Sequence, residues 1–508
     1  MSEDFNITDL FFAGAEKHPE RTALICKDKK ISFGEFSKSI LDTAAFFEKK
    51  GIGKGDRVLI FVPMSIDLYR IVLALFRIGA IAVFLDEWVS KKRMEECCKV
   101  AQCKAFIGSF KARLLSLVSK DLRSIPIRLG KSYTKGIPAS KKNKVTFSDT
   151  ALITFTTGST GIPKAAKRTH GFLLEQFAAL NEKLDPKAGD IIMPVLPIVL
   201  LINLGNGTTS VIADYKAAKP ASLDPARIIR QAAQHHVNGI IASPFFIKEI
   251  AKHMIREKLR LPEVEKIFTG GAPVFPAEAE IYDKAFPDAR VDVVYGSTEA
   301  EPISMINVKE LKNEKDKMLS EGLKVGIPYR KTEVNIIEIT DSDISVKDES
   351  GLKKLPAGSI GEIIVSGPHV LREYINNDAA LKRNKIFIGE KCWHRTGDSG
   401  YVDAGGTLYL TGRCSTILID KGKIIAPFIY ENYFQNLPGV EIGSVMKFNG
   451  SLSAVIELND PSLKEEVKLA IGKLELDIPD VKFLDRIPRD PRHNSKIDYE
   501  QLKKQFAK

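Results

Sequence analysis

The chain has 508 residues, 27% of them charged and 44% hydrophobic, which is typical of a soluble globular protein with two or three domains. The formal net charge of +11 is spread along the sequence, which argues against nucleic-acid binding, so we expect no nucleic-acid partner. The six cysteines form no C-x-x-C pair, so we expect reduced thiols rather than a zinc site.

The N-terminal segment, Met1-Ser2-Glu3-Asp4, is acidic and is not followed by an apolar run of signal-peptide type. The most apolar stretch, residues 71–85, is interrupted by Arg77 and is too short to span a bilayer. We therefore predict a cytoplasmic protein with no transmembrane segment. In it, residues 71–85 form a buried helix that turns at Gly79 into a strand.

Strand-like runs alternate with helix-like patterns through the first three hundred residues, and this alternation predicts βαβ units and a largely parallel sheet. The strand-like runs include residues 57–62, 81–85, 151–155, 239–243 and 291–295. Beyond about residue 325 the sequence becomes β-rich with Gly and Pro turns. That change predicts a small antiparallel or barrel-like subdomain.

The pattern changes again near Gly412 and Arg413. A hairpin is predicted about Lys421-Gly422-Lys423, and helices and a basic tail follow it. We therefore predict a large domain over residues 1–411 and a small domain over residues 412–508, joined by a short hinge.

Residues 156–164 combine hydroxyls, glycines and a lysine directly after the strand-like run 151–155. Glycines let backbone N–H groups turn toward a polyphosphate, hydroxyls donate to its oxygens, and lysine adds positive charge. Because Ile162 and Pro163 separate Gly161 from Lys164, this is not the P-loop of kinases and ATPases. A Ser/Thr/Gly run alone would more often be a flexible turn. The full run predicts phosphate binding by Thr156, Thr157, Gly158, Ser159, Thr160, Gly161 and Lys164.

Four further motifs follow along the chain. Two of them stand where predicted strands end in glycine turns, and open α/β sheets bind ligands at such ends. The third ends in a carboxylate that can accept hydrogen bonds from both hydroxyls of a ribose diol. The fourth lies in the basic tail, where a lone lysine is usually a surface residue. The motifs are Gly270-Gly271-Ala272-Pro273, Tyr295-Gly296-Ser297-Thr298-Glu299, His394-Arg395-Thr396-Gly397-Asp398 and Arg492-His493-Asn494-Ser495-Lys496.

In their order and rough spacing these motifs resemble those of the AMP-forming adenylating superfamily: acyl-CoA synthetases, luciferases and peptide-synthetase adenylation domains. The resemblance spans nearly the whole chain. It implies an α/β fold: a large N-terminal domain of parallel βαβ subdomains with a small β-rich subdomain, and a mobile α+β C-terminal domain. It also implies an ATP-dependent ligase that uses Mg²⁺ and a small-molecule carboxylic acid.

The resemblance implies roles for single residues. Nucleotide binding falls to the phosphate loop, to the adenine-contacting turn and to the residues around the ribose. These are, besides the loop, Gly270, Gly271, Ala272, Pro273, Tyr295, Gly296, Asp398 and Arg413. Thr298 is implied to contact the α-phosphate, and Glu299 to hold Mg²⁺. Lys496 is implied to be the catalytic lysine, which neutralises charge in the transition state.

The aliphatic segment of residues 196–204 is the fifth candidate. In the superfamily this segment lines the acid-binding pocket, so we predict pocket residues Leu200, Leu201, Asn203 and Phe245. A buried core strand would give the same pattern, and this alternative stays open. If the segment lines the pocket, the acid is aliphatic, and with no acidic residue there an amino acid is disfavoured.

Three segments are similar to the β-lactone synthetases of bacterial olefin biosynthesis: residues 492–497, the aliphatic segment ending near Asn203, and residues 295–302. Acyl-CoA synthetases usually carry a charged hinge two residues after the Gly-Arg pair, where this chain has Ser415 and Thr416. The leading hypothesis is therefore activation of a 3-hydroxy fatty acid as acyl-AMP, followed by intramolecular β-lactone closure. The alternatives are an acyl-CoA synthetase or acyl-AMP ligase, with CoA as a partner, and an inactive nucleotide-binding relative.

Overall fold

The computed structural model describes residues 4–85, 91–137, 143–156, 163–187, 189–216, 219–448, 450–489 and 497–506. The α-helices of this part of the chain are α1 Thr8–Lys17, α2 Phe33–Lys49, α3 Ile66–Arg77, α4 Lys91–Ala101, α5 Phe110–Val118, α6 Lys120–Arg123, α7 His170–Leu184, α8 Pro197–Asn206, α9 Pro225–Gln234, α10 Pro244–Glu257, α11 Pro276–Ala285, α12 Val308–Leu311, α13 Met318–Glu321, α14 Asp378–Asn384, α15 Pro427–Gln435, α16 Lys464–Ile471 and α17 Tyr499–Phe506.

The strands of the described residues are β1 Thr22–Cys26, β2 Lys29–Ser32, β3 Arg57–Phe61, β4 Ile81–Phe84, β5 Ala105–Gly108, β6 Ile127–Leu129, β7 Thr150–Thr156, β8 Lys164–Thr169, β9 Ile191–Pro194, β10 Thr209–Ile212, β11 Gly239–Ala242, β12 Lys266–Gly270, β13 Arg290–Ser297, β14 Ala300–Asn307, β15 Leu323–Pro328, β16 Glu333–Ile337, β17 Gly361–Ser366, β18 Tyr374–Ile375, β19 Lys385–Ile388, β20 Lys391–Val402, β21 Leu408–Arg413, β22 Leu418–Asp420, β23 Lys423–Ile425, β24 Val440–Phe448, β25 Ser451–Leu458 and β26 Asp480–Leu484.

Two large sheets form the body of the protein. The first has the strand order β16-β17-β20-β21-β15-β14-β13-β12-β11-β9-β10-β1-β2, with β19 paired to β20. The second has the order β18-β8-β7-β4-β3-β5-β6. Strands β11, β12 and β13 are parallel, and α10 and α11 connect them, as the alternating sequence pattern predicts.

The predicted α/β fold with a small β-rich subdomain is confirmed. Strands β16, β17, β20 and β21 pair antiparallel and continue the first sheet through β15. The apolar stretch after residue 66 forms α3, and Gly79 turns the chain toward β4 with a φ of 73°. Within the part of the chain that the structure describes, none of the helices has both the length and the apolar character of a membrane span.

The chain after residue 413 builds a hairpin of β22 and β23 and a three-stranded sheet of β24, β25 and β26. This sheet covers its own apolar cluster, which includes Phe434, Ala454 and Ile456. The contacts of this region with the body include the rings of Phe275 and Phe428, which lie 5.3 Å apart, and the pairing of Lys248 with Glu441 at 3.7 Å. The boundary at residue 412 remains a prediction.

Candidate functional site

The glycine turn after β12 and the end of β13 lie side by side because the two strands run parallel, with Gly270 opposite Val294. A Cβ atom at Gly270 would lie 2.6 Å from the Val294 carbonyl oxygen, so only glycine fits there. Gly271 follows with a φ of 86°, in the left-handed region. The predicted adenine-contacting residues 270–273 therefore lie next to Tyr295, at the carboxyl ends of the strands.

Asp398 receives two hydrogen bonds at the same edge of the sheet. The Tyr295 hydroxyl donates to its Oδ2 at 2.8 Å, and the Arg413 guanidinium donates to its Oδ1 at 2.5 Å. The register of β20 and β21 places Arg413 directly opposite Asp398. Burial, with Asp398 beside it, holds the pKa of Tyr295 well above its usual range. The predicted ribose and adenine residues thus form one connected group.

Glu299 lies in the turn between β13 and β14 and is buried, with 7% of its surface exposed. The Tyr374 hydroxyl donates to Glu299 Oε1 at 3.1 Å. The preceding residue, Thr298, is held through its carbonyl oxygen, which accepts a hydrogen bond of 3.1 Å from Arg168. The carboxylate of Glu299 is therefore a buried hydrogen-bond acceptor with a fixed orientation, and not a solvated surface charge.

Lys164 pairs across β7 and β8 with Thr156, so these two residues form the base of the phosphate loop. Its Nζ donates to Asn384 Oδ1 at 3.2 Å and lies 5.9 Å from the centre of the Tyr374 ring. Burial lowers the pKa of Lys164, and the nearby Glu299 opposes that shift. The predicted loop residues Thr157, Gly158, Ser159, Thr160 and Gly161 lie outside the described residues.

Lys496 also lies outside the described residues, but the residues on either side of the undescribed segment 490–496 are described. Arg489 and Ile497 form an antiparallel bridge. Glu457 accepts a hydrogen bond of 2.8 Å from Arg489 and one of 2.7 Å from the Ile487 N–H. On the other side, the Tyr499 hydroxyl donates to Glu431. The described residues on both sides of Lys496 are thus held by hydrogen bonds.

Residues 197–204 of the aliphatic segment belong to helix α8, and Leu196 is its N-cap, so the alternative of a core strand is wrong. Pro197 stands at the first helical position, where its missing N–H costs nothing, and Gly207 ends the helix with a φ of 69°. In a continuous apolar run, hydrophobic periodicity does not distinguish a buried helix from a buried strand. The sequence pattern was ambiguous for this reason.

The four predicted pocket residues have different surroundings. Leu201 lines a narrow apolar cavity that is partly open to solvent. Leu200 is fully buried in the neighbouring core, and Asn203 is buried with its amide donating to Ser210 Oγ at 3.1 Å. Phe245 is half-buried near the start of α10. The cavity is lined by Ile7, Leu10, Phe11, Leu73, Phe76, Leu173, Gln176, Phe177, Ile198, Leu201, Ile202 and Gly205.

The motifs do not include three residues that the structure places beside Glu299 and Lys164: Tyr374, Asn384 and Lys385. Lys385 is buried, and burial lowers its pKa to about 8. In the sequence it follows Lys382-Arg383-Asn384. A lysine in such a charged run is expected to be exposed to solvent. Only the long-range contacts, between residues 75 and 220 positions apart, reveal these neighbours.

Glu299 is the candidate metal ligand. Among the described residues no three His, Cys, Asp or Glu side chains gather as a metal site. Mg²⁺ is commonly held by one or two carboxylates together with substrate phosphates and water. The buried carboxylate of Glu299, held on one oxygen by Tyr374, offers the hard oxygen donor that this cation prefers.

The chain matches known proteins over most of its length. The sequence model described as AMP-binding enzyme matches residues 11–375. An olefin beta-lactone synthetase of Stenotrophomonas maltophilia is 30% identical, over 99% of this chain and 98% of its own. A putative acyl-CoA ligase of Bacillus subtilis is 25% identical, over 91% and 92%.

Solved structures share the architecture. The o-succinylbenzoate coenzyme A synthetase of Bacillus subtilis, in complex with ATP and a magnesium ion, superposes with a TM-score of 0.79 at 22% identity. The superposition covers 97% of this chain and 99% of that one. At this identity the likeness concerns the fold.

Proposed function

This chain belongs to the family of AMP-binding enzymes and is an AMP-forming ligase, and we propose that it converts an aliphatic 3-hydroxy acid into a β-lactone. The observation that carries the adenylation half is the approach of two groups from different sheets, since Lys164 of β8 lies near both Glu299 and Arg413. Asp398 with Tyr295 and Arg413 forms one group, and Glu299 with Lys164 forms the other. The first suits a nucleoside, and the second suits a polyphosphate.

In the proposed first step the substrate carboxylate oxygen attacks the α-phosphorus of ATP, and pyrophosphate leaves. Tyr295 stacks on adenine, and Asp398 accepts hydrogen bonds from the ribose hydroxyls. Lys164 lies at the base of the phosphate loop and offers a cation to the phosphates. Lys496 neutralises the charge that develops between the carboxylate and the α-phosphate. Glu299 would hold Mg²⁺, which when bound neutralises charge on the phosphate oxygens.

In the proposed second step the 3-hydroxyl oxygen of the same molecule attacks the activated carbonyl carbon. The bond from that carbon to the AMP oxygen breaks, AMP leaves, and the hydroxyl proton passes to solvent. Because nucleophile and carbonyl belong to one ligand, the step is unimolecular and needs no second substrate. The support for this half is the similarity to an olefin beta-lactone synthetase, which extends over both chains almost completely.

Thioester formation is the second candidate function, favoured by the similarity to a putative acyl-CoA ligase. In that reaction CoA, not the internal hydroxyl, takes the acyl group. An inactive nucleotide-binding protein is the third candidate. The retention of Lys164, Glu299, Asp398, Arg413 and Lys496 argues against it.

The test is product analysis by mass spectrometry with ATP, Mg²⁺ and a 3-hydroxy fatty acid, with and without CoA. We expect AMP, pyrophosphate and a product one water lighter than the acid, formed equally in both conditions. A thioester formed only with CoA, without the dehydrated product, would assign the chain to acyl-CoA ligation. If none of the acids stimulates the exchange of pyrophosphate into ATP, the chain does not adenylate a carboxylic acid and the proposal is wrong.

A further inference from the structure

Glu299 is held by a short segment that none of the adenylation motifs includes. The Tyr374 hydroxyl donates to Glu299 Oε1 at 3.1 Å. The Leu371 N–H donates to the Glu299 carbonyl oxygen at 2.7 Å. Both the side chain and the backbone of Glu299 are therefore tied to residues 371–374, and anything that moves this segment moves the carboxylate.

Lys385 holds that segment from the other side. Its Nζ donates to the Leu371 carbonyl oxygen and lies 5.6 Å from the centre of the Tyr374 ring. The residue is only 3% exposed, at the first position of β19. Removing an ammonium group from water is costly, so a lysine in this position must be compensated by what it contacts. Its ammonium group contacts Leu371 and Tyr374, the same two residues that contact Glu299.

The residue before Lys385 contacts the phosphate loop. Asn384 Oδ1 accepts the hydrogen bond of 3.2 Å from Lys164 Nζ, and the Asn384 amide donates back to the Ala380 carbonyl oxygen at 2.7 Å. Lys164 and Lys385 thus lie near the same ring, that of Tyr374. The junction of α14 and β19 links the loop lysine to the carboxylate.

We propose that Tyr374 and Lys385 are positioning residues that set the Glu299 carboxylate relative to Lys164 for binding of metal-complexed ATP. The proposal rests on the proposed function in one respect, because it takes Glu299 as the metal-binding group. It adds two residues outside the motifs. It also predicts that ATP binding and AMP binding depend on different groups of residues. AMP lacks the β- and γ-phosphates, so its binding depends on the Asp398 group instead.

The test is ATP binding as a function of Mg²⁺ concentration by isothermal titration calorimetry, with metal-free AMP binding measured in parallel. Tyr374→Phe keeps the ring and removes only the hydroxyl. We expect it to raise the Mg²⁺ concentration for half-maximal ATP binding by about tenfold, the scale for losing a partner of a metal ligand. Lys385→Met should raise this Mg²⁺ concentration in the same way. The increase in the double variant should not exceed the larger of the two single increases, because the two residues act as one unit. AMP affinity should stay unchanged.

Lys266→Met is the matched control, because Lys266 is also a poorly exposed strand lysine, 13% exposed and paired with Asp190. It should leave the Mg²⁺ dependence as in the wild type. An unchanged Mg²⁺ dependence in folded Tyr374→Phe overturns the proposal, as does an equal loss of AMP affinity. If Lys385→Met does not fold, Tyr374→Phe alone decides. If none of the acids tested supports pyrophosphate exchange by the wild-type protein, the proposed function is wrong. The ATP- and AMP-binding data still decide this inference in that case.

Discussion

Asp398 is the residue on which two other site residues converge. It accepts from Tyr295 and from Arg413, and a carboxylate retains lone pairs for a ribose diol beyond these two bonds. Arg413 is itself 59% exposed, so its guanidinium can shift toward a phosphate when a nucleotide enters. Under the proposed function, Asp398 therefore links ribose recognition to the phosphate contact proposed for Arg413.

Replacing Asp398 by Asn should weaken AMP binding. The amide keeps one acceptor oxygen but loses the charge that pairs with Arg413, and a hydrogen bond to a charged group contributes about 1.5–3 kcal/mol. We expect the Kd for AMP to rise by roughly 10- to 100-fold, measured by calorimetry. The exposed Asp288→Asn serves as a control for loss of one negative charge. An unchanged Kd would contradict the ribose role.

Lys496→Ala should reduce acid-dependent pyrophosphate exchange by roughly 10²- to 10³-fold, the scale for losing one transition-state stabiliser. ATP binding should change little, because the lysine acts mainly on the transferring group. Lys503→Ala is the matched control, since Lys503 lies exposed on α17, seven residues further along. Equal rates in the two variants would mean that Lys496 is an ordinary surface residue.

At the scale of elements, Glu431 joins three parts of the C-terminal region. This residue of α15 is buried and accepts hydrogen bonds from Ser444 on β24, at 3.2 Å, and from Tyr499 on α17. Burial raises the pKa of Glu431 to about 7. Tyr499 lies three residues after Lys496, so this hydrogen bond anchors the chain just beyond the lysine.

Glu431 should make stability fall as the pH rises from about 4.5 to about 7. Below this range both the folded and the unfolded chain hold the proton; within it only the folded chain does, so ionisation favours unfolding. Above pH 7 the accumulated cost is on the order of 3 kcal/mol. Glu431→Gln should lack this decline when Tm is followed from pH 5 to 8. The exposed Glu466→Gln should keep it. Parallel curves for wild type and Glu431→Gln would contradict the assignment.

The sequence predicted elements well where their ends carry a chemical signal. The glycine turn after β12 and the hairpin of β22 and β23 are examples, whereas Gly296, which was predicted to end its strand, lies inside β13. It left α8 undecided, because an all-apolar run has no period to measure. It also missed Tyr374 and Lys385. Their contacts to the Glu299 segment join residues distant in sequence, and burial of a lysine cannot be read from a charged run.

At the scale of the whole molecule, the predicted domain boundary lies where β21 ends. Residues Cys414–Thr416 form a short 3₁₀ turn, and Thr416 Oγ1 donates to the Arg413 carbonyl oxygen at 2.9 Å. A charged hinge residue is absent at Ser415 and Thr416. In acyl-CoA synthetases that hinge accompanies the rotation that admits a thiol, whereas lactone closure needs no second substrate.

The fate of a simple fatty acid follows from this difference. Without a 3-hydroxyl it has no internal nucleophile, so the reaction should stop at enzyme-bound acyl-AMP. We expect a burst of about one pyrophosphate per enzyme and then little turnover, since the adenylate stays bound instead of reacting onward. The 3-hydroxy acid of the same chain length is the matched control and should turn over continuously. Rapid-quench measurement of pyrophosphate separates the two. If adding CoA restores steady turnover of the simple acid and yields a thioester, the Ser415-Thr416 hinge permits the rotation, and the lactone assignment loses this support.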